Sequence, residues 1–236
     1  MLVNFPTWVY KRSMPNFYSA NFKGTIPPEI QSSPCAPTAA ANIIAYRAKQ
    51  GLSRLMPPLG KHKAEYGYLK LIEKLAYYMD TTKTGTFALN LINGIEHYIK
   101  DRGYIPELEW AGEHYTGKYK KKYYPNMEWM MGKILGPSDL LLWIGNYKYR
   151  QRSLKATEAH CATTAGFNRI YDELYLHDPA QKKKPVKVKM VESFNYKDHP
   201  PLSHLRPSEL LMFYPNREVC DIAILEAALA LEIRPK

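Results

Sequence analysis

Ser33-Pro34-Cys35-Ala36-Pro37-Thr38-Ala39-Ala40-Ala41-Asn42-Ile43-Ile44 carries a cysteine at the point where the chain switches from loop to helix. The location matters because the thiolate, not the thiol, is the nucleophile. The unpaired amides and positive dipole end of a helix N-terminus favour that thiolate. Cys35 is therefore either a nucleophile awaiting a base or an ordinary small residue at a helix start.

Working outward, the pattern Ala40, Ile43, Ile44, Ala48 predicts a helix from Pro37 to Gln50, stopped by Gly51. Tyr68–Met79 and Phe87–Asp101 read as two more helices, the second ended by Gly103. The threonine-rich turn between them, Asp80–Thr86, reads as a source of caps for the second. Glu107–Asn126 is rich in tyrosine and lysine, and a short helix is expected within Tyr123–Lys133. Strand-like runs follow: Asp139–Tyr149, His160–Asn168, Glu173–His177, Val186–Glu192 and Leu210–Tyr214. The terminal run Cys220–Ile233 fits strand or helix; alternation of Ala223, Leu225, Ala227, Leu229, Leu231 and Ile233 favours a strand with its two glutamates on the other face. Helices first and antiparallel sheet second make the fold class α+β. One domain spanning 1–236 is expected: an extended lead-in (1–32), a mainly helical lobe (33–135) and a mainly β lobe (136–236).

Composition narrows the function. With 45% hydrophobic and 23% charged residues the profile is that of a globular protein, and no run approaches the length of a membrane span. The N-terminus lacks the basic head and apolar run of a signal peptide. Three cysteines without a CxxC pair argue against a disulfide framework or a cysteine-rich zinc site. The histidines outside the candidate site show no metal-ligand spacing, so no metal or cofactor is expected. The formal charge of +11 is concentrated in Lys118–Lys122, Lys148–Lys155 and Lys182–Lys189. Its functional reading is an acidic partner and its bland one solvated loops and lysine-guarded edge strands. No nucleic-acid motif accompanies it, which leaves nucleic acid the weaker option.

A cysteine nucleophile needs a base, and the base an orienter. His160 begins a strand of small, uncharged residues, and Asp178 closes the next one. The turn Asn168–Glu173 suits a hairpin, which would bring the start of the first strand beside the end of the second. His177 is the rival base, but its adjacency to Asp178 points it to the opposite face. Asn168 is the alternative orienter. Cys161, next to His160, should face away from the site into core packing, so no Cys35–Cys161 bridge is expected. Trp110, Tyr115, Tyr119, Tyr123, Tyr124 and Trp129 are candidates for a peptide-binding wall.

Four elements in order carry a resemblance: Cys-x-Pro-Thr-Ala-Ala-x-Asn at Cys35–Asn42, the Gly85-Thr86 … Gly94-Ile95 … Tyr98 … Gly103-Tyr104 stretch, His-x5-Gly-aromatic at His160–Phe167, and Asp-Pro-Ala at Asp178–Ala180. Together they resemble the papain-fold cysteine peptidases, in particular the branch that processes bacteriocin leaders (the double-glycine peptidases), over roughly residues 25–180. The resemblance implies a papain-like fold and a cysteine peptidase or related thiol acyl-hydrolase working on a peptide or protein through a thioester acyl-enzyme. It makes Cys35 the nucleophile, His160 the base and later the acid, and Asp178 the orienter. The Cys35 backbone amide would contribute to an oxyanion hole whose second donor is Gln31. Gln31 lies closer to the cysteine than the family's glutamine does, and Ala36 stands where relatives carry glycine. The alternative is a papain-like scaffold that binds a peptide or anionic polymer without turnover.

Overall fold

The structure, a computed structural model, describes residues 6–19, 28, 33–58, 64–150, 153–181, 184–192, 210–213 and 221–236. The elements run β1 (Trp8–Tyr10), α1 (Cys35–Lys49), α2 (Ala64–Tyr78), α3 (Ala88–Asp101), β2 (Tyr104–Gly112), α4 (Met127–Leu135), β3 (Asp139–Arg150), β4 (Ser153–Asn168), β5 (Glu173–His177), β6 (Val186–Glu192), β7 (Leu210–Phe213) and β8 (Ile222–Pro235). Helices and antiparallel sheet are both present, as the pattern predicts. Among the described residues no helix is long and apolar enough to cross a membrane.

The sheet closes on itself. β4, β3, β8, β7, β6 and β5 pair in that order, all antiparallel, and β5 pairs back onto β4. Closure removes the exposed strand edges that such a sheet would otherwise present. Leu140, Leu142, Ile144, Phe167, Leu174, Leu176, Val188 and Leu225 form one core, against which α4 packs Met127, Met130, Met131 and Ile134. Helices α1 to α3 pack on the outer side of β2, β3, β4 and β8 around a second core that includes Ile43, Ile44, Leu75, Leu91, Ile95, Trp110, Leu141, Trp143 and Leu229.

Two strands fall outside the segment expected to hold the sheet. β1 lies in the lead-in and pairs with Gly166–Asn168, beyond the last β4 residue that β3 reaches. β2 lies inside the segment assigned to helices and pairs along its whole length with β8. Pro106 and the acidic residues mask its alternation, and as an edge strand it tolerates the proline. Tyr104, Leu108 and Trp110 anchor it in the helical core, and Pro106 breaks the alternation between them.

The terminal strand also departs from simple alternation. The β3–β8 register slips between Trp143↔Ala227 and Ile144↔Leu225, so Glu226 is a bulge. The bulge reverses the facing of β8: Ala223 and Leu225 belong to the barrel core, whereas Ala227, Leu229, Leu231 and Ile233 belong to the helical core. A strand expected to present one apolar face serves both cores in turn.

Buried Asp139 ties three elements together at the foot of β3. Its carboxylate accepts from Lys11 Nζ at 2.6 Å, just past β1, and from Arg47 Nε at 2.5 Å, in the last turn of α1. This cross-tie sets the far end of the helix that begins at Cys35.

Candidate active site

Helix α1 starts at Cys35 and is buried from Ala36 to Ala45. The Ala39-Ala40-Ala41 run, fully buried, lets the helix axis approach β4 closely. Two polar side chains fix its position. Thr163 Oγ1 on β4 donates to Ala39 O at 2.6 Å, and Asn42 Oδ1 accepts the Phe17 backbone N–H at 3.0 Å. The Thr-Ala-Ala-x-Asn pattern is thus the seat of the helix on the sheet, and it holds Cys35 over the sheet rim.

His160 and Asp178 meet as the hairpin geometry predicts. β4 begins at Ser153, earlier than the expected start at His160, but β5 pairs with it only from Thr163↔His177 onward, so His160 in mid-strand lies beside the segment just beyond β5. His160 Nε2 and Asp178 Oδ1 are 2.6 Å apart, with 7% and 0% of their side chains exposed. Asp178 Oδ1 also accepts the Ala180 N–H at 2.8 Å, so the Asp-Pro-Ala turn orients the carboxylate. Ser19 clamps the same turn through two hydrogen bonds to Pro179 O. With Nε2 engaged by the carboxylate, Nδ1 is the imidazole nitrogen left for the sulfur.

The electrostatics favour a thiolate and an imidazolium. Cys35 is held well below the ordinary thiol range, first by a hydrogen bond from the Cys161 side chain; burial opposes this, and the hydrogen bond and charge of His160 and the Cys161 backbone N–H assist it. Burial disfavours the charged form of His160, but the Asp178 carboxylate, by charge and hydrogen bond, and then Cys35 push its pKa up to about 10. Cys161 is pushed well above the usual thiol range by that hydrogen bond to Cys35 and by burial.

Cys161 is a correction to the strand-alternation reading. It does not face away from the site: it sits in the helical core with Ala36 and Ala39 and lines the same groove as Cys35. The reason is that α1 covers the β4 face bearing Cys161 and Thr163, so the first turn of the helix lies over Cys161. Both thiols are free, and no bridge joins them.

The rivals take structural places. His177 is bonded at both nitrogens, to Tyr10 Oη at 3.1 Å and Pro15 O at 2.6 Å, and burial lowers its pKa. Asn168 accepts the Ile170 N–H at the opposite end of β4, far from Asp178 in the register. Gln31 and Cys220 lie outside the described residues.

The site opens into a groove of about 670 Å³, within the range of ligand pockets. One wall is Ser33–Ala36; another is Thr84–Thr86; Trp143, Thr157, Glu158 and Gln181 complete it. The threonine turn is not a helix cap, because α3 begins after Phe87 with no side-chain cap. Instead Thr82 and Gly85 form an isolated bridge, and Ser33 Oγ donates to Lys83 O at 3.1 Å, which holds the turn beside the cysteine. The expected aromatic wall is not there either. Trp110 and Tyr115 are buried in the helical core with Tyr119 packed against it, while Tyr123 and Trp129 meet edge to face and donate to Glu109. None of the six lines this groove. Bulky aromatics near a β edge fill the core that the edge needs. The groove residues that escaped notice are small hydroxyl residues without a periodic signal.

No family model matches the chain, and no curated protein matches it. Among solved structures, one described as a "putative C39-like peptidase from Bacillus anthracis" aligns over 98% of this chain and 100% of its own, at 13% identity and a TM-score of 0.46.

Proposed function

We propose that this protein is a cysteine peptidase, or a related thiol acyl-hydrolase, of papain-like architecture. The observation that carries the reading is the position of His160, bonded to Asp178 at one nitrogen and lining, together with Cys35, one open groove. The chain order Cys, His, Asp and the seating of the cysteine helix against the histidine strand support the same reading.

Cys35 enters the reaction as a thiolate, its proton already on His160. The sulfur attacks a substrate carbonyl carbon, and the carbonyl π electrons move onto oxygen. The first-turn amide of α1 at Cys35 is the oxyanion donor on which this reading relies. As the tetrahedral species collapses, the His160 imidazolium protonates the leaving amine and a thioester remains on Cys35. Neutral His160 then takes a proton from water, whose oxygen attacks the thioester, and the acid product leaves with Cys35 restored. Asp178 keeps the imidazole in one tautomer and orientation throughout.

The test is Cys35→Ala. The variant is expected to lose rapid iodoacetamide labelling at near-neutral pH and all hydrolysis of a mixed peptide library. Undiminished fast labelling, or retained hydrolysis, would falsify the assignment.

A further inference from the structure

The mechanism above uses one thiol and leaves another in the same groove. Cys161 is 2% exposed and lies beneath the first turn of α1, on the β4 face that α1 covers. Cys35 is half-buried and opens to the groove. Cys35 and Cys161 line the same groove, Cys35 packs against the core cluster that holds Cys161, and both cysteines are reduced. A solvent-reachable thiolate backed by a shielded second thiol is the arrangement in which the first is oxidised and the second resolves it.

We propose that Cys35 and Cys161 form a reversible intramolecular disulfide when the protein meets hydrogen peroxide, and that Cys161 thereby protects the nucleophile from irreversible oxidation. In the first step the Cys35 thiolate attacks one peroxide oxygen. An S–O bond forms, the O–O bond breaks, and hydroxide leaves; sulfur is oxidised by two electrons and peroxide reduced. In the second step the Cys161 sulfur attacks the sulfenic sulfur of Cys35. The S–S bond forms, the S–O bond breaks, and the departing hydroxide takes the Cys161 proton to become water. A dithiol reverses the reaction by exchange, returning two electrons and two protons. The disulfide blocks acyl transfer while it lasts, because the sulfur that would attack is bonded. This inference rests on the thiolate character of Cys35 that the proposed function also uses.

The experiment uses the full chain with Cys220→Ser to remove the third thiol. Peroxide treatment followed by unreduced digestion and mass spectrometry is expected to show the Cys35 and Cys161 peptides linked, with the loss of two hydrogens. Iodoacetamide labelling of Cys35 should vanish and return in full with dithiothreitol. In the Cys161→Ala variant on the same background, Cys35 should instead gain two oxygens, and dithiothreitol should not restore labelling. Equal, irreversible loss in both proteins with no linked peptide overturns the proposal. If Cys161→Ala does not fold, the presence or absence of the linked peptide in the parent protein decides alone. Peptide hydrolysis is scored separately: a protein that forms the link but cleaves nothing removes the peptidase reading and leaves the disulfide standing. One that cleaves peptides yet overoxidises Cys35 without a link removes only the disulfide.

Discussion

Two histidine–carboxylate pairs sit on either side of Trp143, and both have the same separation. His160 Nε2 lies 2.6 Å from Asp178 Oδ1, and His114 Nε2 lies 2.6 Å from Glu226 Oε2. Both imidazoles are pushed toward the charged form. Their surroundings differ. His160 is buried and meets a thiol on its other side, next to a groove. His114 is 44% exposed, rests against the Trp143 ring at 5.9 Å, and occupies a left-handed backbone position at φ 65°. A carboxylate beside a histidine is therefore not itself a reactive site; the group held at the second nitrogen makes it one. The His114 pair instead secures the bulge at Glu226, which also accepts from the Tyr147 hydroxyl.

The largest effect should come from breaking the first pair at its centre. His160→Ala is expected to slow alkylation of Cys35 at neutral pH by about 100-fold or more, within the range of positioned acid–base groups. His114→Ala should leave that rate unchanged. Equal losses in both would show that the two pairs do not differ in kind. Asp178→Asn should act less severely, by about tenfold, because it removes one charge supporting the imidazolium while a polar partner stays in place. The check is again the alkylation rate, and a rate equal to wild type would remove Asp178 from the site.

The pH dependence separates the pairs further. His160 has its pKa raised to about 10 from an ordinary 6.5, so its contribution to stability is full below pH 6.5 and is lost as pH rises through 10. Cys35 is depressed from an ordinary 9.0, so its contribution is full above pH 9 and is lost as pH falls through its folded value. Between 6.5 and 9 the two slopes cancel, because folding only moves a proton from sulfur to imidazole. The difference in unfolding free energy between wild type and the Cys35→Ser/His160→Gln double variant should therefore be flat in that window and fall on both sides. Urea unfolding from about pH 5 to about pH 11 measures it. A difference that climbs steadily across the whole range would mean the two groups do not form a charged pair.

The same contrast explains what could be read from the chain before folding. The first pair and its cysteine were legible because a local element places each of them. Cys35 opens a helix, His160 lies three residues before the β4–β5 pairing begins, Asp178 follows β5 directly, and a short turn sets their register. Local rules apply to each step. The second pair was not legible, because Glu226 reaches His114 only through a bulge that strand alternation does not announce. Likewise β2 exists because β8 is there to pair with it, and Pro106 hides it from propensity. Cys161 was misassigned for a related reason. Alternation says which residues share a face, but only the packing of α1 says which face is covered. The Ala39–Ala41 run carried that information, in the smallness that lets helix and strand approach.

The smallest expected effect belongs to the second pair, and its smallness is informative. Glu226 packs so tightly under β3 that a side chain at Gly145 would collide with its carboxylate. Glu226→Gln keeps that volume and still accepts from Tyr147, losing only the charge-assisted bond to His114. The loss should be about 1 kcal/mol, below the ~1.5–3 kcal/mol of a hydrogen bond to a charged group because solvent screens the half-exposed His114, read as a lower urea midpoint at unchanged slope. Alkylation of Cys35 should be unaltered, since Trp143 stands between the bulge and the groove. If the rate falls along with stability, the Glu226 bulge governs the position of Trp143 and Cys161, and the two pairs are one coupled system rather than a reactive site and a structural clasp.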